Sequence, residues 1–257
     1  MQLRVEDLSL AFGGVRALDR VHVTVEPGEI VSVIGPNGAG KTSFVNCISG
    51  FYRPHEGRIR FGDHDITHWP PHRIAALGIG RAFQNVELFG GLTVLENLTL
   101  GRHRHLRYGL LSALAFYGPA RRGEAAARRD VEAVIDFMEL EPYRHRPVAT
   151  LPYGVRKRVE MARALALEPS LLLLDEPMAG MAVEEKEDIA RFILEANAER
   201  GIGIVLIEHD LQAVMDLSHR VYVLNFGQVI AAGRPEEVAS NPAVVEAYLG
   251  REMETRA

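Results

Sequence analysis

The sequence has 257 residues, 47% of them hydrophobic and 25% charged, which is the balance of a globular domain with a large core. Its net charge of −5 at pH 7 gives no electrostatic case for a nucleic acid as the main partner. The single cysteine, Cys47, excludes an intramolecular disulfide, and its apolar surroundings predict a buried structural thiol. No stretch approaches the roughly 18–20 apolar residues of a membrane span, so we expect other chains to supply any spans.

The first 35 residues are predicted to form mainly β-strands. Val21, Val23 and Val25 alternate with polar neighbours, which is typical of a half-buried strand. The short apolar segment Ile30–Ile34 predicts a second strand, and residues 58–61 predict an antiparallel one.

A glycine-rich segment follows Ile34 and matches G-x-x-x-x-G-K-[ST] at every fixed position. Its residues are Gly35, Pro36, Asn37, Gly38, Ala39, Gly40, Lys41 and Thr42, with Ser43 next in the chain. Glycines let successive backbone N–H groups converge on phosphate oxygens, and a helix beginning near Lys41 adds its positive N-terminal end. Lys41 is predicted to contact the β- and γ-phosphates, and the Thr42 hydroxyl to bind Mg²⁺. The motif predicts nucleotide binding and leaves the class open among kinases, GTPases and ATPases.

A helical subdomain is predicted at about 88–165, inserted between two strands of the core sheet. Thr93 and Glu96 have the spacing of a capping box at its start. Gln84 precedes it, and spacing alone leaves two alternatives for this residue: an amide ligand of Mg²⁺ or a surface glutamine. The segment 102–129 mixes basic and apolar residues, which predicts either helical packing with a solvated arginine face or a surface for membrane headgroups or a transmembrane partner.

Two carboxylates close the next predicted strand. The apolar run at 171–174 is typical of a strand buried on both faces, and it ends in Asp175 and Glu176. Because α/β folds bind ligands at the carboxyl ends of their strands, Asp175 is predicted to hold Mg²⁺. Glu176 is predicted to accept a proton from an attacking water. The alternative is an acidic turn that only closes the strand.

The C-terminal part continues the alternation of helices and strands. A helix is predicted over Val183–Arg200, strands over 202–207 and 220–224, and a terminal helix with Pro242 at its first position. His209 follows the strand at 202–207 and repeats the placement of Asp175. This placement favours a contact with the γ-phosphate over the alternative of a solvated strand end.

Together these residues resemble the ATP-binding subunit of an ABC transporter, and the resemblance covers essentially the whole chain. It assigns Walker A to 35–42, the Q-loop to Gln84, Walker B to Asp175 and Glu176, the switch histidine to His209, the adenine contacts to Phe12 and Ala17, and the signature to Pro152, Tyr153 and Gly154. It implies an ATPase that uses ATP and Mg²⁺. In that family two domains dimerise head to tail, with each ATP between one chain's Walker motifs and the other chain's signature helix.

The resemblance implies an α/β fold with a P-loop NTPase core. This core would have a mixed sheet with helices, an N-terminal antiparallel β-subdomain and an inserted α-helical subdomain. The expected division is a nucleotide-binding core at 1–87 and 166–240, the helical subdomain at 88–165 and a C-terminal helix and tail at 241–257. Transmembrane permease subunits are the implied partners, docked near the Q-loop on the cytoplasmic face of the membrane.

A finer resemblance is to the branched-chain amino acid and related uptake systems. It is carried by the block 35–50, the segment 81–85, the insertion at 102–123, the Tyr-Gly of the signature and the ending at 241–250. It implies uptake of branched-chain amino acids or a related small solute, with a periplasmic binding protein as an indirect partner. The alternative is a soluble, non-transport ABC ATPase; such proteins typically carry tandem ATPase units or a long coiled-coil insertion, and this sequence shows neither.

The signature departs from the family's L-S-G-G-Q. Pro152, Tyr153, Gly154 and Val155 stand where the family has Ser, Gly, Gly and Gln, so the serine hydroxyl that donates to the γ-phosphate is lost. One such hydrogen bond contributes about 1.5–3 kcal/mol to ATP-bound closure. Ala182 stands where the family commonly has an aspartate that crosses the dimer interface. Because both departures serve the partner's ATP, we expect a heterodimer with a second ABC ATPase subunit and two unequal sites, with a homodimer as the alternative for the isolated chain.

Overall fold

The computed structural model describes residues 1–84, 86–102 and 119–254, and describes side chains outside 119–127 and 249–254. The strands are β1 (Leu3–Phe12), β2 (Val15–Val25), β3 (Ile30–Ile34), β4 (Glu56–Phe61), β5 (His64–Asp65), β6 (Ile79–Ala82), β7 (Leu171–Asp175), β8 (Gly203–Ile207), β9 (Arg220–Asn225) and β10 (Gln228–Gly233). The α-helices are α1 (Lys41–Ile48), α2 (Pro71–Leu77), α3 (Val94–Arg102), α4 (Pro119–Phe137), α5 (Tyr153–Leu165), α6 (Val183–Arg200), α7 (Leu211–Leu217), α8 (Pro235–Ala239) and α9 (Pro242–Glu254). Short 3₁₀ turns occur at Glu141–Tyr143 and Val148–Thr150.

The strands form two sheets. A six-stranded sheet has the order β10-β9-β3-β8-β7-β6, in which every pair is parallel except the antiparallel edge pair of β10 and β9. A second, antiparallel sheet has the order β2-β1-β4-β5. The predicted α/β class, with a mixed sheet and an N-terminal antiparallel sheet, is confirmed.

Side chains of the six-stranded sheet alternate between two cores. On β7, Leu172 and Leu174 belong to one core, and Leu171 and Leu173 to the other. The first core also contains apolar residues of α5 and α6, and the second those of α1 and of the antiparallel sheet. Both faces of β7 are therefore covered, which explains why residues 171–174 are all apolar. The predicted strand buried on both faces is confirmed.

The helices between β6 and β7 begin with a well-formed cap. The Thr93 backbone N–H donates to the Glu96 carboxylate at 2.8 Å, and the Glu96 N–H donates to the Thr93 hydroxyl at 3.2 Å. The predicted capping box is therefore confirmed. The two alternatives for the segment 102–129, helical packing or a surface for a membrane or transmembrane partner, concern mostly residues or side chains outside the described part of the chain. The division of the chain into a core and a helical subdomain stays a prediction.

Cys47 lies in the core between α1 and the sheets and is fully buried. Burial raises the pKa of its thiol to about 12, and the predicted burial of this cysteine is confirmed. Among the described residues, no helix combines the length and the apolar character that crossing a membrane requires.

The parallel strands bring the predicted motifs to one edge of the central sheet. The segment 35–42 follows β3, Gln84 follows β6, Asp175 ends β7, and His209 follows β8. Since β3, β8, β7 and β6 are parallel neighbours in that order, their carboxyl ends face the same side. Motifs that are far apart in sequence therefore meet at this edge.

Candidate nucleotide site

The loop between β3 and α1 requires glycine at two positions for steric reasons. Gly35 has φ +147°, and a Cβ there would lie 2.0 Å from the carbonyl oxygen of Leu224. Gly40 has φ +105°, and its Cβ would lie 2.3 Å from the carbonyl oxygen of Ala17. The loop therefore packs directly on the backbone of β9 and β2, which leaves room for a ligand only on its other side.

A cavity of about 300 Å³ lies over this loop. Its lining consists of Ala17, Asn37, Gly38, Gly40, Lys41, Thr42, Ser43, Gln84 and Glu176. The Lys41 ammonium donates to the carbonyl oxygens of Gly35 at 2.6 Å and Pro36 at 3.1 Å, which places its charge inside the loop. This charge lies at the N-terminus of α1, whose dipole also favours an anion.

Gln84 and Glu176 meet on the opposite wall of the cavity. Gln84 Nε2 donates to Glu176 Oε2 at 2.8 Å. Glu176 follows β7 with φ +51°, and its backbone N–H donates to the Ile207 carbonyl oxygen at 2.9 Å, which anchors the residue to the end of β8. The Gln84 side chain is exposed, lines the cavity and contacts the carboxylate, and its role as a ligand of Mg²⁺ stays a prediction.

Asp175 is buried beside this pair. Its side chain is 1% exposed, and Arg81 Nη2 donates to its Oδ2 at 3.2 Å. Burial raises the pKa of Asp175, and the nearby Arg81 charge offsets this effect only in part. Arg81 also donates to Asn46 and Ser49 of the α1 region, at 2.7 and 2.8 Å. Sequence reasoning assigned Arg81 no role, although a charged residue within the apolar segment 79–83 is a usable signal.

The oxygen atoms around Asp175 fit a divalent cation. Asp175 Oδ1 is buried and has no hydrogen-bond partner among the described residues. A buried carboxylate oxygen without a donor fits a hard cation such as Mg²⁺, which takes few protein ligands and keeps several waters. In the described part of the chain, no cluster of three or more His, Cys, Asp or Glu side chains is placed to hold a metal. Thr42 and Gln84, the other two predicted ligands, line the cavity over the phosphate loop, and the ligand set stays a prediction.

His209 lies at the same sheet edge with a side chain that is 62% exposed, and its Nδ1 is 3.9 Å from Glu208 Oε2. Glu208 is 1% exposed and accepts the backbone N–H groups of Met178 at 3.0 Å and His209 at 3.3 Å. Burial raises the pKa of Glu208. Glu208 thus ties the end of β8 to the segment after Glu176. Sequence reasoning missed it, although a carboxylate directly before the candidate histidine was visible.

The two predicted adenine contacts occupy different surroundings. Ala17 lines the cavity, whereas Phe12 lies outside this lining. Phe12 is 48% exposed at the end of β1, and its ring packs edge-on against Tyr52 with 5.1 Å between centroids. The adenine role of Phe12 stays a prediction.

The signature residues lie next to the loop that contains Ala182. A Cβ on Gly180 would lie 3.5 Å from the Tyr153 ring, and a Cβ on Gly154 would lie 2.0 Å from Glu185 Oε1. The Glu185 carboxylate also accepts the Ala182 N–H at 3.0 Å. The start of α5 therefore packs against the segment 180–185, which contains Ala182.

A family model described as ABC transporter matches residues 18–179. This chain belongs to the ABC transporter family. A second model, described as branched-chain amino acid ATP-binding cassette transporter, matches residues 228–254 of the cassette. The predicted family resemblance is confirmed, and the class left open by the phosphate loop is an ATPase.

Relatives align with nearly the full length of the cassette. It is 42% identical over 249 residues to the high-affinity branched-chain amino acid transport ATP-binding protein BraF of Pseudomonas aeruginosa, covering 96% of this chain and 97% of that one. It is 40% identical over 248 residues to the corresponding protein LivG of Escherichia coli K12, with the same coverage. These relatives support a transporter subunit and give no support to the soluble, non-transport alternative.

Solved structures agree with the fold of the cassette. A nucleotide-free ATP-binding cassette of an ABC transporter superposes with a TM-score of 0.83 at 36% identity, covering 96% of this chain and 99% of that one. The ADP conformation of such a cassette gives 0.84 at 36% identity, covering 97% and 99%. A dimeric post-hydrolysis state with bound ADP and Pi gives 0.76 at 25% identity, covering 91% and 98%. The cassette is thus a nucleotide-binding ATPase of a family that forms dimers.

Proposed function

We propose that this cassette powers the uptake of branched-chain amino acids or a related small solute, as the ATPase subunit of an importer. The observation that carries the proposed substrate class is the branched-chain amino acid cassette match at 228–254. Two relatives named for branched-chain amino acid transport, 42% and 40% identical over almost the whole chain, support it. A periplasmic binding protein would deliver the solute to the permeases and contact this chain only indirectly.

The cassette is proposed to bind the cytoplasmic face of the membrane through permease subunits. A groove of about 390 Å³ between α1, α2, α3 and α5 supports this proposal. Three large apolar side chains in its lining, Phe51, Phe89 and Leu100, are between 44% and 58% exposed. Such clustered exposed apolar groups are typical of a protein-binding surface. Phe83 lines the same groove one residue before Gln84, so a permease bound there lies next to the ATP site.

The contact between Gln84 and Glu176 over the phosphate loop is the observation that carries the proposed chemistry. The backbone N–H groups at 35–42 and the Lys41 ammonium bind the phosphates of ATP. Glu176 accepts a proton from water as the water oxygen attacks the γ-phosphorus, and the bond to the β,γ-bridging oxygen breaks to release ADP. His209 orients the γ-phosphate and the water, since its exposed ring lies at the same sheet edge.

The remaining contacts complete the proposed site. Thr42, Gln84 and Asp175 would hold Mg²⁺, which would supply positive charge to neutralise the charge that develops on the phosphates. Ala17 and Phe12 contact the adenine, and Ser43 extends the phosphate contacts at the start of α1.

We further propose a heterodimer with a second ATPase subunit. In a head-to-tail dimer, this chain's signature serves the partner's ATP, whereas its own Walker residues use the partner's signature. Pro152 is the N-cap of α5 and makes no side-chain capping hydrogen bond, so only backbone groups remain there to face phosphate. Tyr153 and Ala182 are exposed near Pro152, whereas Gly154 is buried next to the Glu185 carboxylate. We therefore expect the weaker of the two ATP sites to be the one that contains this chain's signature residues and the partner's Walker residues.

Replacing Glu176 with glutamine tests the proposed chemistry. The Glu176→Gln variant keeps the shape of the side chain but loses the base, so we expect ATP binding to be retained and turnover to fall by at least about 100-fold. Steady-state phosphate release and the Kd for a fluorescent ATP analogue measure the two effects separately. Glu184→Gln, at an exposed glutamate of α6, is the matched control and should keep wild-type turnover. Rapid steady-state hydrolysis by Glu176→Gln would overturn the assignment.

A further inference from the structure

Helix α5 carries charged side chains at Lys157, Glu160 and Arg163, and this spacing of three places them on one side of the helix. Lys157 is 4% exposed and Glu160 is 1% exposed. Lysine and glutamate are rarely buried unless they are paired or hydrogen-bonded, so both need specific partners here. Their opposite charges lie close enough that each stabilises the charged form of the other, although burial still lowers the pKa of Lys157 and raises that of Glu160.

All three side chains bind the backbone around Gln84. Lys157 Nζ donates to the carbonyl oxygens of Gln84 at 2.5 Å and Phe83 at 3.5 Å. Glu160 Oε1 accepts the Phe83 N–H at 3.1 Å. Lys157, Glu160 and Arg163 form a charged stripe on α5. The last of them, Arg163, donates through Nη1 to the Glu87 carbonyl oxygen at 2.6 Å.

These contacts join two functional elements that are far apart in sequence. Gly154 lies in the first turn of α5, and Lys157 is three residues later, which is less than one helical turn. From Lys157 the path runs through the Gln84 backbone to its side chain, which donates to Glu176 at 2.8 Å. The start of α5 is therefore linked to the proposed hydrolytic carboxylate through less than one helical turn, two hydrogen bonds and the side chains of Lys157 and Gln84.

We propose that Lys157 and Glu160 are positioning residues, which hold the Gln84 backbone so that the Gln84 side chain keeps its contact with Glu176. This inference rests on the proposed roles of Gln84 and Glu176. Through this link, a displacement of the signature end of α5, where the partner's ATP binds, changes the placement of Gln84 in this chain's own site. The two ATP sites of the dimer are thereby coupled through α5.

A double-mutant cycle between Lys157 and Gln84 tests the link in the full-length chain. Lys157→Met removes the donor and the charge but keeps an unbranched side chain. We expect it to lower kcat about 10-fold while changing the KM and Kd for ATP less than about twofold, because a carbonyl hydrogen bond to a charged group is lost without a change in the phosphate loop. In a Gln84→Ala background, Lys157→Met should lower kcat by less than about a further twofold, because the side chain through which it acts is already absent.

Two controls separate positioning from folding. Arg158→Met removes a positive charge from the adjacent position of α5, which faces away from the charged stripe. This variant should leave kcat unchanged in the wild-type background and in the Gln84→Ala background. Lys157→Met could lower the thermal unfolding temperature, because the buried Glu160 charge then has no neutralising partner. In that case the double variant Lys157→Met/Glu160→Gln, which removes both charges, takes the place of Lys157→Met in the cycle. Hydrogen exchange at the Phe83 amide is an independent readout: it should quicken in Glu160→Leu, and stay slow in Glu160→Gln, which keeps an acceptor.

The outcomes distinguish this inference from the function on which it rests. An equal loss of kcat from Lys157→Met in both backgrounds, or no loss in either, overturns the link while the role of Gln84 stands. A Gln84→Ala variant with wild-type turnover overturns the proposed role of Gln84, and the inference with it.

Discussion

At the scale of single residues, three charged side chains at the candidate site have little access to solvent. Glu208, Asp175 and Arg81 are all largely buried, and each is held by specific hydrogen bonds. Burying a charge costs free energy, which hydrogen bonds and opposite charges offset only in part. The raised pKa values of Glu208 and Asp175 express this cost, since both carboxyl groups bind a proton more readily in the folded chain.

Glu208 yields a prediction for the pH dependence of stability. Burial raises its folded-state pKa above the ordinary value of 4.5, so the folded protein binds this proton more tightly than the unfolded chain. Its contribution to stability is therefore largest at low pH and declines as the pH rises from 4.5 through the raised folded pKa. Glu208→Gln cannot ionise, yet its amide oxygen can still accept the Met178 N–H.

We therefore expect the free energy of unfolding of Glu208→Gln, relative to that of the wild type, to increase as the pH rises from 4.5 through the raised folded-state pKa. Urea denaturation at a series of pH values measures the difference, with the exposed Glu199→Gln as a control that should show no such trend. A difference that shrinks with rising pH would contradict the prediction.

At the scale of elements, α3 shows how a local signal acts. Thr93 accepts and donates hydrogen bonds at the start of this helix, and the helix carries buried Val94 and Leu98 into the core. The cap satisfies backbone N–H groups that a helix start otherwise leaves without partners. The geometry of this end therefore depends on the side chains of Thr93 and Glu96.

Removing that cap should destabilise the chain. We expect Thr93→Ala to lower the free energy of unfolding by about 0.5–2 kcal/mol, which is the usual cost of losing a threonine N-cap. Thr99→Ala is the control on the same helix, because Thr99 only donates to the Leu95 carbonyl oxygen one turn earlier and such a bond adds little stability. Equal losses in the two variants, measured by urea denaturation, would argue against a special role for the cap.

The elements that sequence predicted well are those with local signals. The helix at Val183–Arg200 is confirmed without change, and the strands predicted at 202–207 and 220–224 differ from the structure by one residue. Local periodicity and turn residues were sufficient for these elements.

The parts of the site that sequence did not predict are long-range side-chain contacts. Lys157 and Gln84 are 73 residues apart, and Arg81 and Asp175 are 94 apart. Neither hydrophobic periodicity nor a motif encodes such a pair, because the contact exists only after strands β6 and β7 and helix α5 have packed together. The phosphate loop and Glu176 have distinctive local patterns, whereas Gln84 was assigned to the site only through the family resemblance.

At the scale of the whole molecule, one chain does not complete an ATP site in this family. In the proposed head-to-tail dimer, the Walker residues and the signature residues of this chain would serve two different nucleotides. Tyr153 and Ala182 would contribute to one of these sites, and Lys41 and Glu176 to the other. The departures at Pro152 and Ala182 would then weaken the partner's site and leave this chain's own Walker residues unaffected.

This asymmetry predicts unequal effects in the reconstituted transporter. We expect Glu176→Gln to reduce solute uptake more than the equivalent change in the second ATPase subunit, because the site built on this chain's Walker motifs uses the partner's signature. Uptake into proteoliposomes, with one subunit altered at a time, measures the comparison. Equal loss of transport from both changes would count against two unequal sites.

The chain leaves the central sheet after Ala82 and re-enters it at Leu171, on strands that are paired side by side over four residues. At about 3.3 Å per residue, the two crossing points are only about 10–13 Å apart. Two attachments this close together define an axis, and a rotation of the helical segment about that axis would require backbone changes at both attachments and a shift of the α5 side chains that pack on the sheet. Gln84 lies just beyond the first attachment, whereas Glu176 stays on the sheet. The distance between Gln84 Nε2 and Glu176 Oε2, which is 2.8 Å here, would therefore change with the angle between the helical segment and the sheet.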